Sequence, residues 1–258
     1  MAEILINLFY MNENNVPSSQ DKFLGREPKY YDLFTGLFVA ILIISEITST
    51  KLVRILGFQT AGAIILFPIS YIFSDILTEV YGYARARRVM WIGFVSLILM
   101  SAVLILVGMM PAAPSWHNQQ AYNVILGFVP RISMASIIAY WFGGFANDFV
   151  MAKLKIKTGG KFLWSRTIGS TIVGQAVDSF LFIGIAFYGI IPNAIILQIA
   201  ITQYFLKVAY EAVATPITYL IVNFLKKKEG IDVFDYNTDF NPFSLKVTNN
   251  TDSASAQL

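Results

Sequence analysis

The stretch VMWIGFVSLILMSAVLILVGMM, residues 89–110, carries no charged side chain over 22 residues. About 20 consecutive apolar residues are enough for a helix to cross the hydrocarbon core of a bilayer. Outward from this stretch the chain stays free of charge through residues 89–130, and residues 55–74 and 179–206 are also uncharged. With 56% hydrophobic and only 14% charged residues, the chain cannot give a soluble globule a polar surface. The sequence therefore predicts a polytopic membrane protein.

Six transmembrane helices in an all-α fold best fit the apolar runs. The predicted spans are residues 31–53, 60–81, 89–110, 132–151, 167–188 and 200–225. Residues 1–30 are expected to form a cytoplasmic N-terminal segment and residues 226–258 a polar, partly disordered cytoplasmic tail. The first residues, MAEILINLFYMNENN, lack the basic leader of a cleavable signal peptide, so the first span is expected to direct insertion.

Basic residues alternate between the ends of the predicted spans. One side holds Lys22, Arg26, Lys29, Arg85, Arg87, Arg88, Lys153, Lys155, Lys157, Lys161, Arg166, Lys226, Lys227 and Lys228. The other side holds only Lys51, Arg54 and Arg131. Because loops rich in lysine and arginine stay in the cytoplasm, both termini are predicted to be cytoplasmic. The formal net charge of +3 then reflects topology and not a nucleic-acid-binding surface.

Six acidic residues interrupt the apolar runs or end them: Glu46, Asp75, Glu79, Asp148, Asp178 and Glu211. An ionisable group in the membrane interior costs several kcal/mol unless it faces a cavity or a partner, so each acid marks a candidate functional site. For Glu46, ligand binding and hydrogen bonding between helices are both open. Asp148 lies near Lys153 and the predicted cytoplasmic surface, which predicts a solvated or salt-bridged carboxylate.

The second predicted span carries an ordered stripe of side chains. Phe67, Tyr71, Asp75 and Glu79 follow one another at intervals of four residues, which places two rings and two carboxylates along one helix face. Aromatic rings can stack on a planar heterocycle, and a carboxylate can accept two parallel N–H bonds. The stripe predicts a binding wall. The alternative is that Asp75 and Glu79 pair with Arg85, Arg87 or Arg88.

The last two spans carry similar polar faces. Gln175 and Asp178 share a face of the fifth span, and Gln203, Lys207 and Glu211 repeat every four residues along the sixth. Lys207 and Glu211 are predicted to pair, either as a structural ion pair or as a substrate or proton site. In the fourth span, small residues at intervals of four predict a packing seam between helices. They are Ala135, Ala139 and Gly143.

Several of these segments together resemble the queuosine precursor transporter family, also described as vitamin-uptake-transporter-like proteins. The resemblance rests on FPISYIFSDILTEVYG at residues 67–82 with ARARR at 84–88, EITSTK at 46–51, the Gln175/Asp178 pair and FDYNTDFNPF at 234–243. It implies a transporter in the bacterial inner membrane that imports a 7-deazaguanine precursor of queuosine, which is preQ0, preQ1 or queuine.

Under this reading a purine-like small molecule would bind between the first, second, fifth and sixth spans. The expected site residues are Glu46, Phe67, Tyr71, Asp75, Glu79, Gln175, Asp178, Gln203, Lys207 and Glu211. Apart from this substrate, membrane lipid is the expected partner, and a homo-oligomer stays open. Proton or sodium symport and facilitated diffusion are both open as the mode of transport.

A membrane-embedded enzyme and a subunit of a larger transporter are the two alternative classes of protein. The sequence has no cysteine, no HExxH motif and one histidine, His117 in a loop, so neither a metal site nor a cofactor is expected. An aspartyl dyad lacks the usual flanking glycine, which argues against an enzyme. The remaining alternative is a vitamin-type substrate-binding subunit that works with a partner ATPase module through Gly36 and Ala40, because the sequence itself contains no P-loop.

Overall fold

The computed structural model describes residues 28–55, 57–235 and 238–244, without the side chains of Phe67 and Pro68. The N-terminal segment before residue 28, with Lys22 and Arg26, lies outside the described residues, as does the end of the predicted tail. The elements are α1 (Tyr31–Ser49), β1 (Leu52–Ile55), β2 (Phe58–Ala61), a 3₁₀ turn (Gly62–Ile65), α2 (Phe67–Tyr81), α3 (Tyr83–Met109), α4 (Gln119–Ile125), α5 (Val129–Thr158), α6 (Leu163–Phe187) and α7 (Asn193–Glu229).

Five helical stretches of the described chain are long and apolar enough to cross a membrane. They are Tyr31–Ser49, Tyr83–Met109, Gln119–Thr158, Leu163–Phe187 and Asn193–Glu229. Their apolar side chains, such as Leu99 and Leu106 on α3 and Leu220 on α7, are more than half exposed, as expected of a surface that faces lipid. The protein is thus a largely helical, multi-pass membrane protein.

The second predicted span differs from its expectation. Helix α2 has 15 residues and is about 22 Å long at 1.5 Å per residue, shorter than a bilayer core of about 30 Å. Residues 60–66, predicted to be helical, belong instead to β2, the 3₁₀ turn and the residue that follows it.

A β-hairpin between α1 and α2 accounts for this difference. Strand β1 pairs antiparallel with β2, with Leu52 opposite Ala61 and Ile55 opposite Phe58. Gly57 takes φ +89° in the turn, a conformation that side chains disfavour, and the strands are rich in β-branched and aromatic residues that favour a pleated surface. The prediction that the first span continues to Val53 was therefore wrong.

Close packing of α5 against α6 confirms the predicted small-residue seam. Ala135 and Ala139 are fully buried. A Cβ atom added at Gly143 would lie 2.7 Å from the Gly174 carbonyl oxygen, and one added at Gly174 would lie 2.8 Å from the Asn147 Cβ. Only glycine allows the two backbones to approach this closely. The contact brings the polar residues of α6 against those of α5.

One end of the bundle gathers described basic residues of the predicted cytoplasmic side, among them Lys29, Arg85, Arg166 and Lys226. The backbone N–H groups of Lys29 and Tyr30 donate to Glu229 at the end of α7, at 2.9 and 2.7 Å. The Tyr31 hydroxyl donates to the Arg85 carbonyl oxygen at 3.1 Å. This end is called the basic end below.

Part of the tail after α7 packs on the basic end, which its polar composition did not predict. Residues 231–235 and 238–244, here the C-terminal strap, follow α7. Arg87 donates to the Asp239 and Asn241 carbonyl oxygens at 2.6 Å each, and the Trp91 indole donates to the Pro242 carbonyl oxygen at 2.8 Å. Part of the tail is therefore ordered, because α3 supplies donors for the backbone of the strap.

The pKa values of two acids of the strap are shifted in opposite directions. Burial raises the pKa of Asp235, although hydrogen bonds from Thr238 and the Tyr83 N–H oppose the shift. Desolvation would also raise the pKa of Asp232, but the Lys155 and Lys226 ammonium groups outweigh it and hold that pKa below its ordinary value.

Candidate functional site

Five buried carboxyl groups come together inside the bundle, one each from α1, α2, α5, α6 and α7. This central acid cluster consists of Glu46, Asp75, Asp148, Asp178 and Glu211, each no more than 2% exposed. Electrostatic interactions connect Glu46 with Asp178, and Asp75 with both Glu211 and Asp148. Acids that the sequence places in separate spans therefore form one site.

Lys207 is a buried base within this cluster. Its ammonium group donates to Asp178 Oδ2 at 2.7 Å, and both side chains are almost fully buried. Helical spacing predicted Glu211, one turn further along α7, as the partner of Lys207. The structure shows a partner on the neighbouring helix α6, and pairing between Lys207 and Glu211 stays a prediction.

Asp75 and Asp148 are held by neutral donors. The Asn147 side-chain amide donates to Asp75 Oδ1 at 2.7 Å, and the Ser74 hydroxyl donates to Asp148 Oδ1 at 2.9 Å. Asp148 is fully buried, so the prediction of a solvated or Lys153-paired carboxylate was wrong. Residues 148 and 153 lie about 140° apart around the helix, and Lys153 instead lies over the Phe240 ring, 4.3 Å from its centroid.

Aromatic rings line the cluster, as the stripe on α2 predicted in part. Tyr71 is buried and interacts electrostatically with Asp178 and Asp148. Its ring packs edge-on against Tyr140 of α5, with centroids 5.1 Å apart. Neither hydroxyl makes a hydrogen bond of ordinary length and angle within the residues that the structure describes. Phe67, the other ring of the predicted stripe, has no described side chain.

Many polar atoms around the cluster have no hydrogen-bond partner within residues 28–55, 57–235 and 238–244. They include both Glu46 carboxylate oxygens, Asp75 Oδ2, Asn147 Oδ1, Asp148 Oδ2, Gln175 Oε1, Gln203 Oε1 and Glu211 Oε1. Buried polar atoms are bonded in the great majority of cases, so this concentration needs a polar occupant. Water, an ion or a ligand rich in N–H donors would satisfy these acceptors.

Glu79 belongs to an ion cluster at the basic end, although it also interacts electrostatically with Asp75 of the central cluster. Its Oε1 accepts from Arg166 at 2.7 Å and from Lys226 at 2.6 Å, with Lys155 at 3.6 Å. The predicted alternative, pairing of Glu79 with Arg85, Arg87 or Arg88, was wrong in its partners. Gly82 takes φ +84° between α2 and α3, which turns the chain after Glu79 into a new helix.

Sequence reasoning missed several of these residues: Asn147, Tyr140, Lys155 and Arg166. A helical reading of α5 could have found three of them, because residues 140, 144, 147, 151 and 155 repeat at three- and four-residue steps and are all buried. Arg166 gives no comparable signal, since its side chain is matched by an acid from α2 that lies 87 residues earlier in the chain.

Comparison with known proteins relates this chain to a family. A family profile described as "Putative vitamin uptake transporter" matches residues 61–221. A Bacillus subtilis protein named "Probable queuosine precursor transporter" is 32% identical over 188 residues, which is 71% of this chain and 82% of the relative. The Escherichia coli "Queuosine precursor transporter" is 29% identical over 207 residues, 78% of this chain and 90% of that protein. No solved structure matches the chain significantly.

The matched region contains the four acids of the central cluster from Asp75 onward, together with Lys207. Only Glu46 lies before it. The chain therefore belongs to the vitamin uptake transporter family that includes the queuosine precursor transporters, and it is a membrane transporter and not an enzyme.

Proposed function

We propose that this protein imports a 7-deazaguanine precursor of queuosine, namely preQ0, preQ1 or queuine, across the bacterial inner membrane. The names of its relatives support the substrate class. The substrate occupies the central acid cluster, between α1, α2, α6 and α7, with α5 closing one side. Both termini are cytoplasmic and the chain crosses the membrane six times, the short helix α2 completing its crossing together with the 3₁₀ turn.

The observation that carries this proposal is the set of unbonded acceptors in a buried, aromatic-lined interior. A 7-deazaguanine presents two kinds of N–H donor on one edge, the ring N1–H and the exocyclic amine, and a carbonyl oxygen beside them. Carboxylates and amide oxygens accept such donors, while Lys207 or an amide N–H can meet the carbonyl. Tyr71 supplies a face on which the flat ring can stack.

The remaining expected residues divide between two roles. Seven of them are assigned to the substrate site: Glu46, Asp75, Asp178, Gln175, Gln203, Lys207 and Glu211. Glu79 is matched by three cations, so we assign it to holding α2, α5, α6 and α7 together at the basic end. Such an ion cluster close to the cytoplasmic surface must rearrange if the substrate leaves on that side.

Uptake by the purified chain alone tests the proposal. Proteoliposomes that contain this protein and no other should take up labelled preQ0, preQ1 or queuine faster than empty liposomes, and an excess of unlabelled precursor should compete. Transport only after addition of an ATPase module would favour the alternative of a substrate-binding subunit. Gly36 and Ala40, the residues expected to contact such a module, are exposed on α1. No specific uptake of any of the three precursors would overturn the assigned substrate class.

The same liposomes distinguish the modes of transport. The cluster holds five carboxyl groups and Lys207, so full ionisation would bury four more negative than positive charges. Because an excess of buried charge is costly, protons or cations should accompany the acids. Accumulation of precursor driven by an imposed pH or Na⁺ gradient would indicate symport, and equilibration without accumulation would indicate facilitated diffusion.

A further inference from the structure

We propose that Asn147 is a positioning residue for substrate recognition. It holds the Asp75 carboxylate so that Asp75 Oδ2 and its own amide oxygen offer two acceptors to the N1–H and the exocyclic amine of a guanine-like ring. The inference rests on the proposed function and adds the determinant that selects rings bearing a 2-amino group.

The hydrogen bond between the two side chains fixes their orientation. Asn147 Nδ2 donates to Asp75 Oδ1 at 2.7 Å, so the amide nitrogen faces the Asp75 carboxyl group. Both residues are fully buried, and Asp75 Oδ2 and Asn147 Oδ1 have no partner in the described part of the chain.

Packing holds Asn147 in this position. The Asn147 Cβ lies 2.8 Å from the position that a Cβ at Gly174 would take, so α5 and α6 pack closely here. The backbone at residue 147 therefore cannot shift toward α6 without separating the two helices. A binding group that is already ordered before the ligand arrives loses less entropy when the ligand binds.

The neighbours of the pair exclude a purely structural explanation for these acceptors. Ser74 already satisfies Asp148 Oδ1, and the ammonium of Lys207 is bonded to Asp178. Asn147 also interacts with Asp148, but neither contact bonds Asp75 Oδ2 or Asn147 Oδ1, and leaving these two acceptors unbonded in a buried site would be costly. A ligand with adjacent N–H donors satisfies both.

The test compares two ligands that differ by one amine. Wild-type protein, purified as the full chain, should bind 7-deazaguanine about 10-fold or more tightly than 7-deazahypoxanthine, which lacks the 2-amino group, because one buried hydrogen bond to a charged acceptor is worth a factor of that order. Asn147→Ala should lower this preference to about 3-fold or less, because the affinity for 7-deazaguanine falls more than the affinity for 7-deazahypoxanthine, which offers only the N1–H to the pair. Asn118→Ala, at an exposed loop position, should keep the wild-type preference.

Exchanging the two groups provides a rescue. The double variant Asp75→Asn with Asn147→Asp retains one amide, one carboxylate and the bond between them, so it should regain the preference that Asn147→Ala loses. If Asn147→Ala does not fold, this exchange variant still decides, because loss of the preference in it would contradict the inference. An Asn147→Ala protein that keeps the wild-type preference would overturn the positioning role alone. A wild-type protein that binds neither ligand would overturn the proposed function.

Discussion

Replacing Lys207 with methionine should destabilise the protein strongly. The Lys207 ammonium and the Asp178 carboxylate are 2.7 Å apart, and their side chains are 1% and 3% exposed. Removing one member of a pair this deeply buried leaves an uncompensated charge, which costs about 3–5 kcal/mol. Methionine keeps most of the lysine volume, so the loss reports the charge and not a cavity. Reversible unfolding in mixed micelles of mild detergent and dodecyl sulfate measures the change in the free energy of unfolding.

A double-mutant cycle identifies the partner. Adding Asp178→Asn to Lys207→Met should recover about 1–3 kcal/mol, because the stranded carboxylate is removed. Adding Asp32→Asn, an exposed acid in the first turn of α1, should be additive within about 0.5 kcal/mol. The same cycle with Glu211→Gln compares the partner that helical spacing predicted. If the Asp178 cycle is also additive, the ion pair contributes nothing and the reasoning is refuted.

Three further perturbations test other parts of the structure. Glu79→Gln should cost about 3–5 kcal/mol, because it strands the fully buried Arg166; thermal unfolding that is unchanged would show that the basic end is held by other contacts. Gly143→Ala should cost about 1–3 kcal/mol, because the new Cβ would lie 2.7 Å from a backbone oxygen of α6. A Cβ at Gly184 meets no atom within 4 Å, so the control Gly184→Ala should be neutral or slightly stabilising. Equal unfolding midpoints for the two variants would contradict the close contact at Gly143. Because the folded pKa of Asp232 is lowered from 3.8, its contribution to strap docking should be present above that pH and lost as the pH falls through the folded pKa. Proteolysis of the wild-type strap should therefore become faster in strong acid, and proteolysis of the Asp232→Asn strap should already be fast at neutral pH. A wild-type proteolysis rate that does not change with pH would refute the role of Asp232.

The membrane class and most helices could be predicted because hydropathy acts over many residues at once. Helices α3, α5, α6 and α7 all extend a few residues beyond the predicted spans, since polar residues can prolong a helix outside the apolar core. The hairpin could not be predicted from hydropathy, because residues 52–61 are as apolar as the helices that flank them. Their β-branched composition and Gly57 were the available signal.

The site was predictable where the information is local and not where it depends on packing. The stripe of Tyr71 and Asp75 follows from spacing within one helix, and both side chains are buried as expected. The partner of Lys207 depends on how α6 meets α7, so spacing alone favoured Glu211 on the same helix. For Asp148, distance along the chain to Lys153 was a poor guide, because five residues of a helix carry the two side chains to different faces.

The most direct test of the central claim is precursor uptake by liposomes containing Asp75→Asn, Asp178→Asn or the matched control Asp32→Asn. Both buried acids are assigned to the substrate site, and each replacement keeps the side-chain size while removing an anionic acceptor. We expect labelled 7-deazaguanine precursor to enter with the wild type and with Asp32→Asn. Uptake per amount of folded protein should fall at least about 10-fold in the two buried variants, and this normalisation is needed because Asp178→Asn also strands the buried Lys207. Wild-type rates in both buried variants would contradict a substrate site built on the central acid cluster.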